Sequence, residues 1–347
     1  MADRYWVGGA GSWTTSSTTV WSASSGGASG ASVPTASDNV FFDQVGTYVV
    51  TVTGALACLN FTVSLGVVTF TVSGSSTIAI SGSLALSSGT VGTWSSSFIP
   101  TFKATTSKTI STNGVAIAQP IFNGVGGTWT LGSAFAVNSG GTTTLTNGTF
   151  STSSSNYSVA IRDFSSSNSN TRTLNLNAST LTFTGTQWNC TTSTNFTVSG
   201  SGATVTMTAS SNKFFNGNSN YGAITLDQGG SGRLQIDGSN TFANISNSYN
   251  ATGATSIRFP SGATQTVTSF TAEGLSGKHL TIDSTTPGTA ATLSKASGTV
   301  SVDLVIIKDS TATGGATWNA GSYSTNVSGN TGWIFASPIS SNFFLVM

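Results

Sequence analysis

Charge is what this chain has least of. Only 6% of its 347 residues are charged, and eleven basic residues offset ten acidic ones for a net charge of +1, whereas an average soluble domain is roughly a quarter charged. A sequence-independent nucleic-acid binder needs a basic stripe to displace counterions, and no such stripe exists here. The same balance argues against charge steering of any partner. Histidine occurs once, at His279, so a Ser-His-Asp arrangement would have to be built on that imidazole. Set in GKHLTID beside Lys278, it reads as a surface or corner residue. The two cysteines, Cys58 and Cys190, stand in apolar strand-like contexts and read as buried free thiols, not as a disulfide framework. One histidine and two distant cysteines do not supply the three or four ligands of a zinc site, and no metal or cofactor is expected. No apolar run approaches the 18 or more residues of a membrane span. Residues 1–35 show Asp3 and Arg4 and then Gly, Ser and Thr, without the apolar stretch of a secretory signal.

Few charges and 41 glycines are compatible with disorder, but disorder also goes with few aromatic and β-branched residues. Here 10% of residues are Phe, Trp or Tyr, and Val, Ile and Thr recur in short alternating runs. Most of VVTVT (49–53), VTFTV (68–72), TLTFT (180–184), TVTMT (204–208), SIRF (256–259) and TVSVDLVII (299–307) alternates apolar residues with Thr, Ser or other polar ones. That period of two is the mark of a strand with one buried face. Helical periodicity is nearly missing. Spacers such as SGSG (199–202) and NGNSN (216–220) are built of residues that tolerate positive φ and tight corners.

About twenty such strands, with few Asn-Gly hairpin pairs, fit neither a sandwich nor an up-and-down barrel. A strand–corner rhythm sustained over most of the chain predicts an all-β fold, a parallel β-helix (β-solenoid) of roughly 12–14 coils. The organisation expected is a Trp/Gly-rich capping module over 1–45, the solenoid over 46–335 and an apolar tail over 336–347. A stack of coils exposes apolar side chains and strand edges at its ends, so the ends need covering. RYWVGGAGSWTTSSTTVW (4–21) answers that need. Tyr5, Trp6, Trp13 and Trp21 read as a plug over the first coil, each ring able to bury about 150–250 Å². Pro34 stiffens the approach to Val40, Phe41 and Phe42, which begin the core. The rival reading of these rings is an exposed platform for sugars.

RYWVGGAGSW…VW…VPTASDNVFF resembles the opening module of bacterial and phage β-solenoid proteins, in which W-x-G-G-x-G-x-W and a further Trp precede V-P-x-x-x-D-x-V-x-F. Trp6, Gly8, Gly9, Gly11, Trp13, Trp21, Val33, Pro34, Asp38, Val40 and Phe42 occupy those places. ATLSKASGTVSVDLVIIKDSTATGGATWNA and NVSGNTGWIF (291–335) look like the closing module of the same proteins. A looser likeness lies around 221–246, and none covers about 95–170. The resemblance implies a virion surface or tail protein. An extracellular-looking composition without a visible export signal suits a particle component released by host lysis.

Chemistry-bearing residues are sparse. Glycan-cleaving solenoids use carboxylate pairs about 5–9.5 Å apart, and the candidates here are Asp163, Asp227, Asp237, Glu273, Asp283, Asp303 and Asp309. Asp283 and Asp303, about one coil apart, are the pair that stacking could bring together; corner hydrogen bonds and cation pairing explain these acids without catalysis. GGSGR (229–233) lacks the Lys-Ser/Thr of a phosphate loop and reads as a turn. Thr-x-Thr runs admit an ice-binding face, although Thr also simply fills outward strand positions. SPISSNFFLVM (337–347) is an aggregation hazard if left in solvent, so Phe343, Phe344, Leu345 and Val346 are expected to make an assembly contact. Together these features predict a non-enzymatic phage virion appendage, a tail fibre or related fibre, located on the particle surface. Its partners would be other virion proteins, further copies of itself as a homotrimer, and a host surface glycan or protein receptor, with no nucleic acid and no membrane span. A capsid-decorating protein, a polysaccharide-degrading tailspike, and a cell-surface adhesin or ice-binding solenoid are the alternatives.

Overall fold

A computed structural model describes residues 1–138, 140–249 and 255–336. The fold is all-β, with no helix among the described residues, and is a parallel β-solenoid of about 13 turns. Its described residues form 38 strands, more than the sequence pattern marks, because many strands are two to four residues long and too short to show a period. Among the described residues no helix is long and apolar enough to cross a membrane. Two compact units divide the chain, Met1–Ala203 and Thr204–Met347.

In the first unit, each coil lays its strands on the equivalent strands of the next. Val40 sits beside Phe61, Phe61 beside Leu84, Leu84 beside Ile110 and Ile110 beside Leu131, steps of 21 to 26 residues. A second ladder runs from Gly11–Trp13 through Thr47–Val52 and Val67–Val72 to Val91–Trp94. A third joins Ala55–Cys58, Ser76–Ile80, Phe98–Phe102 and Ile121–Leu131. The period of two explains the inside: Tyr48, Val50 and Val52 are buried along TYVVTV while Thr47 and Val49 are exposed. Because the ladders are parallel and in register, inward residues stack on inward residues. Phe42 and Phe61 (5.6 Å), Phe61 and Phe70 (5.7 Å), Phe70 and Trp94 (5.4 Å), and Trp94 and Phe98 (4.8 Å) form an aromatic column.

The middle of the first unit contains two long strands, Ile121–Leu131 and Thr142–Ser151, which pair along most of their length. Each rounds a corner without stopping. The register shifts between Phe122 and Thr128, at GVGG (124–127). A Cβ at Gly124 would lie 1.8 Å from the Ala104 carbonyl oxygen, and one at Gly127 1.9 Å from the same atom. Glycine is therefore required there by close backbone approach, not by turn geometry alone.

In the second unit, Lys213–Asn216, Leu234–Asp237, Thr255–Phe259, Leu280–Ser284, Val305–Lys308 and Thr325–Ser328 form one parallel ladder. Ile257, Ile282 and Ile307 stack along it, 25 residues apart at each step. A second ladder joins Asn220–Gln228, Asn240–Asn247 and Thr264–Thr271. Trp318 is buried between Phe270 (5.9 Å) and Trp333 (5.1 Å). Thr325–Ser328 is exposed along its whole length.

Candidate functional site

The opening module is a coil in its own right. Asp3–Trp6 lies parallel on Asn39–Phe42, with Tyr5 beside Phe41, and antiparallel to Trp21–Ser22. Trp6, Trp13 and Trp21 are fully buried. Trp21 meets Trp6 edge-on at 5.3 Å and Trp13 at 5.1 Å, and Trp6 and Trp13 lie 5.6 and 5.9 Å from Phe42. Edge-to-face contact at such distances is the favoured aromatic geometry. Tyr5 points elsewhere: alternation turns it outward, where it stacks on Phe41 at 4.8 Å and is half-buried. Pro34 is buried. Asp38 ties the module down, accepting from the Ala2 N–H (2.9 Å), the Thr35 N–H (3.1 Å) and the Thr35 hydroxyl (2.7 Å). Burial alone would raise its pKa; those hydrogen bonds, with help from Arg4, outweigh burial and hold it below the ordinary carboxylate value. A sugar platform made of the three tryptophans is ruled out by their burial, because no ring face is open. Phe343, Phe344, Leu345 and Val346 lie outside the described residues.

Most of the candidate acids are held by hydrogen bonds or an ion pair to a neighbouring coil. The register sets Leu280 beside Val305 and Ile282 beside Ile307, which brings Asp283 level with Lys308. Asp303 lies before that strand, across the corner at Leu304, and its carboxylate is turned to Tyr323 and Ser324 of the following coil, whereas Asp283 faces Arg258 of the preceding one. Asp283 and Asp303 therefore do not form the carboxylate pair that one-coil spacing allowed. Asp283 is held by Arg258 from the neighbouring strand, with Nε at 3.0 and 3.1 Å and Nη2 at 2.5 Å from its oxygens. The pairing raises the Arg258 pKa. Asp303 accepts from the Leu304 N–H (2.7 Å), the Tyr323 N–H (3.0 Å) and the Ser324 hydroxyl (3.1 Å), a corner clamp around Leu304 at φ 57°. Asp163 likewise accepts from the Thr186 and Gln187 N–H groups of the next coil, Asp309 accepts from the Gly288 N–H of the preceding one, and Asp227 accepts from Ser246 and Ser248. His279 is half-buried, its Nε2 3.0 Å from the Tyr323 carbonyl oxygen. Both cysteines are buried, and burial pushes the Cys58 thiol up. Among the described residues no three His, Cys, Asp or Glu side chains cluster as a metal would require.

Two buried cations have no counterpart in the reading of the sequence. Arg172 is fully buried and donates to the carbonyl oxygens of Ser166, Asn170, Thr192 and Thr194, with its guanidinium 5.2 Å from the Phe196 ring centre. Lys213 is equally buried, its Nζ donating to Ala209 (3.0 Å) and Gly232 (2.6 Å) carbonyls, and burial lowers its pKa to about 8. A signal for both was present: Arg172 and Lys213 stand in phase with the inward Leu174 and Phe215. Backbone carbonyls of the same turn and of the next one hold both cations.

The outside of the coils carries neutral polar ladders. Asn60 donates to Asn39 (2.8 Å), Asn147 to Asn123 (2.7 Å), and Thr51 and Thr71 hydroxyls meet at 3.2 Å. An open groove lies between the opening module and the 43–48 corner of the first coil. It holds about 540 Å³ and is lined by Gly9, Gly26, Asp43, Gln44, Gly46 and Tyr48, among others. Gln44 accepts from the Gly9 N–H at 3.3 Å across it. Two polar atoms at this groove, Asp43 Oδ1 and Tyr48 Oη, are buried without any hydrogen-bond partner. Leaving such an atom unsatisfied costs about 1–3 kcal/mol. Burial, aided by the Asp43 charge, pushes the Tyr48 phenol up to about 12, so it stays protonated at neutral pH.

No family model, no curated protein and no solved structure matches this chain.

Proposed function

We propose that this chain is a structural appendage of a phage particle, a tail fibre or related fibre, that presents a neutral polar surface for attachment to a host. The observation carrying the reading is a parallel solenoid whose interior is a stacked apolar column and whose outside is Asn, Ser and Thr ladders. A surface of that kind meets a partner through hydrogen bonds instead of charge. The acids support it too, since each one singled out as half of a catalytic pair is committed to a corner or to an arginine. In this reading the opening tryptophans close one end of the stack, and closed homotrimers, the symmetric form assigned to such fibres, present the surface in several copies. The likeness of residues 4–42 and 291–335 to phage and bacterial solenoid modules supplies the particle.

Immunogold electron microscopy of particles released by lysis from cells carrying the gene tests this. Gold on particle appendages is the expected result. Label confined to cell envelopes, with bare particles, rejects it. Cross-linking of the purified protein checks the trimer, which a monomer or dimer ladder would refute.

A further inference from the structure

The groove beside the opening module is better equipped for a ligand than any other feature of the surface. Its rim is backbone: Gly9, Gly26 and Gly46 all have positive φ, and a Cβ on any of them would meet nothing within 4 Å. Their turns need glycine for conformation, and the space beside them is left open. At the groove stand three polar groups with spare capacity. Asp43 Oδ1 has no partner, and neither has Tyr48 Oη although Tyr48 is only 7% exposed. The Gln44 amide, which accepts from Gly9 through its oxygen, has its NH2 uncommitted. Val45, 83% exposed, and Ala10 add small apolar surface.

We infer that this groove binds the vicinal hydroxyls of a neutral pyranoside, with Asp43 accepting from a sugar hydroxyl, Tyr48 donating to one, and the Gln44 amide donating to another. The chemistry of the lining selects that class. A carboxylate with no cation beside it repels anionic ligands. A single carboxylate is too few for a divalent-cation cage, which takes six or more oxygens for calcium. What remains is a small ligand rich in groups that both donate and accept, and the groove volume falls within the usual range of small-molecule sites. A phenol that remains protonated serves as a fixed donor. This deepens the attachment reading by giving it a site and a ligand class, but the two fail separately: sugar binding by the isolated protein says nothing about particle placement, and particle placement survives if no sugar binds.

The test uses the full chain and saturation-transfer NMR with methyl glycosides of glucose, galactose, mannose and N-acetylglucosamine as probes, at millimolar concentration. At least one is expected to bind. Tyr48→Phe, which removes only the oxygen, is expected to weaken that binding about tenfold. Because the lost hydroxyl has no partner, the same change raises the thermal midpoint, which a merely structural hydroxyl would not do. Asp43→Asn is expected to weaken binding while its tryptophan fluorescence stays that of the parent. Absence of transfer with every probe overturns the inference, and so does binding unchanged in both variants. Calcium binding in the parent that Asp43→Asn abolishes, without sugar binding, would assign the groove to a cation instead and overturn it equally.

Discussion

Replacing Trp21 by alanine is the most direct test of how the coils are held. Trp21 is fully buried, edge-on to Trp6 at 5.3 Å and Trp13 at 5.1 Å, and 6.0 Å from Phe42. Truncating a buried Trp costs about 3–5 kcal/mol. The Trp21 indole N–H, however, is buried without a partner, and removing it returns about 1 kcal/mol. The net loss is then about 2–4 kcal/mol, or roughly 30- to 1,000-fold in the local opening equilibrium. In a stack where each coil touches only its neighbours, the loss should stay near its origin. Hydrogen exchange read by mass spectrometry is the assay. Protection should fall at Asp3–Trp6, Asn39–Phe42 and Phe61–Val63, and hold at Leu280–Ser284. Equal loss of protection across all of these strands would refute local coupling. Unchanged protection at Asn39–Phe42 would refute the idea that the rings hold the first coil.

Three further outcomes are expected. Gly124→Ala should lower the unfolding free energy, read from urea titration, by more than the roughly 1–3 kcal/mol of ordinary overpacking, since its Cβ would meet a backbone oxygen at 1.8 Å; a variant as stable as the parent would show the corner to be slack. Lys213 has its pKa lowered from 10.5 to about 8, so between those values the unfolded chain holds a proton that the folded one releases. Stability should therefore rise with pH across that window, by about 3 kcal/mol at most, and a Lys213→Met variant that keeps the same slope in urea titrations would disprove the assignment. Asp38 shifts the other way: with its folded pKa below the usual 3.8, its contribution is present above that value and disappears as pH falls through the lowered one. Exchange at residues 35–39 should quicken there in the parent, and Asp38→Asn should show the fast rate already at neutral pH; a parent and variant alike at pH 7 would contradict the clamp.

What the residues announce on their own is everything that depends on a period of two. Alternation of Val, Ile and Phe with Thr, Ser and Asn makes strands, and glycine-rich corners without hairpin pairs make them parallel and stacked. The three tryptophans of residues 6–21 were legible as core for the same reason, being large rings in a stretch with little else to bury. Register decided the rest, because which residue lies beside which depends on coil length, and coil length varies from 21 to 26 residues without a mark in the sequence. A count of residues between Asp283 and Asp303 allowed them to meet; the ladder put Lys308 at that level and sent Asp303 into a corner. Tyr5 was grouped with the tryptophans by proximity, and strand alternation turned it to the outside. Arg172 and Lys213 could be placed inside by phase alone, but part of the carbonyl set that makes burial tolerable, at Thr192, Thr194 and Gly232, comes from the next turn. The groove at Asp43 and Tyr48 exists only because Gly9 and Gly26 fold back against a corner some twenty to thirty-five residues away, a meeting that local pattern does not encode.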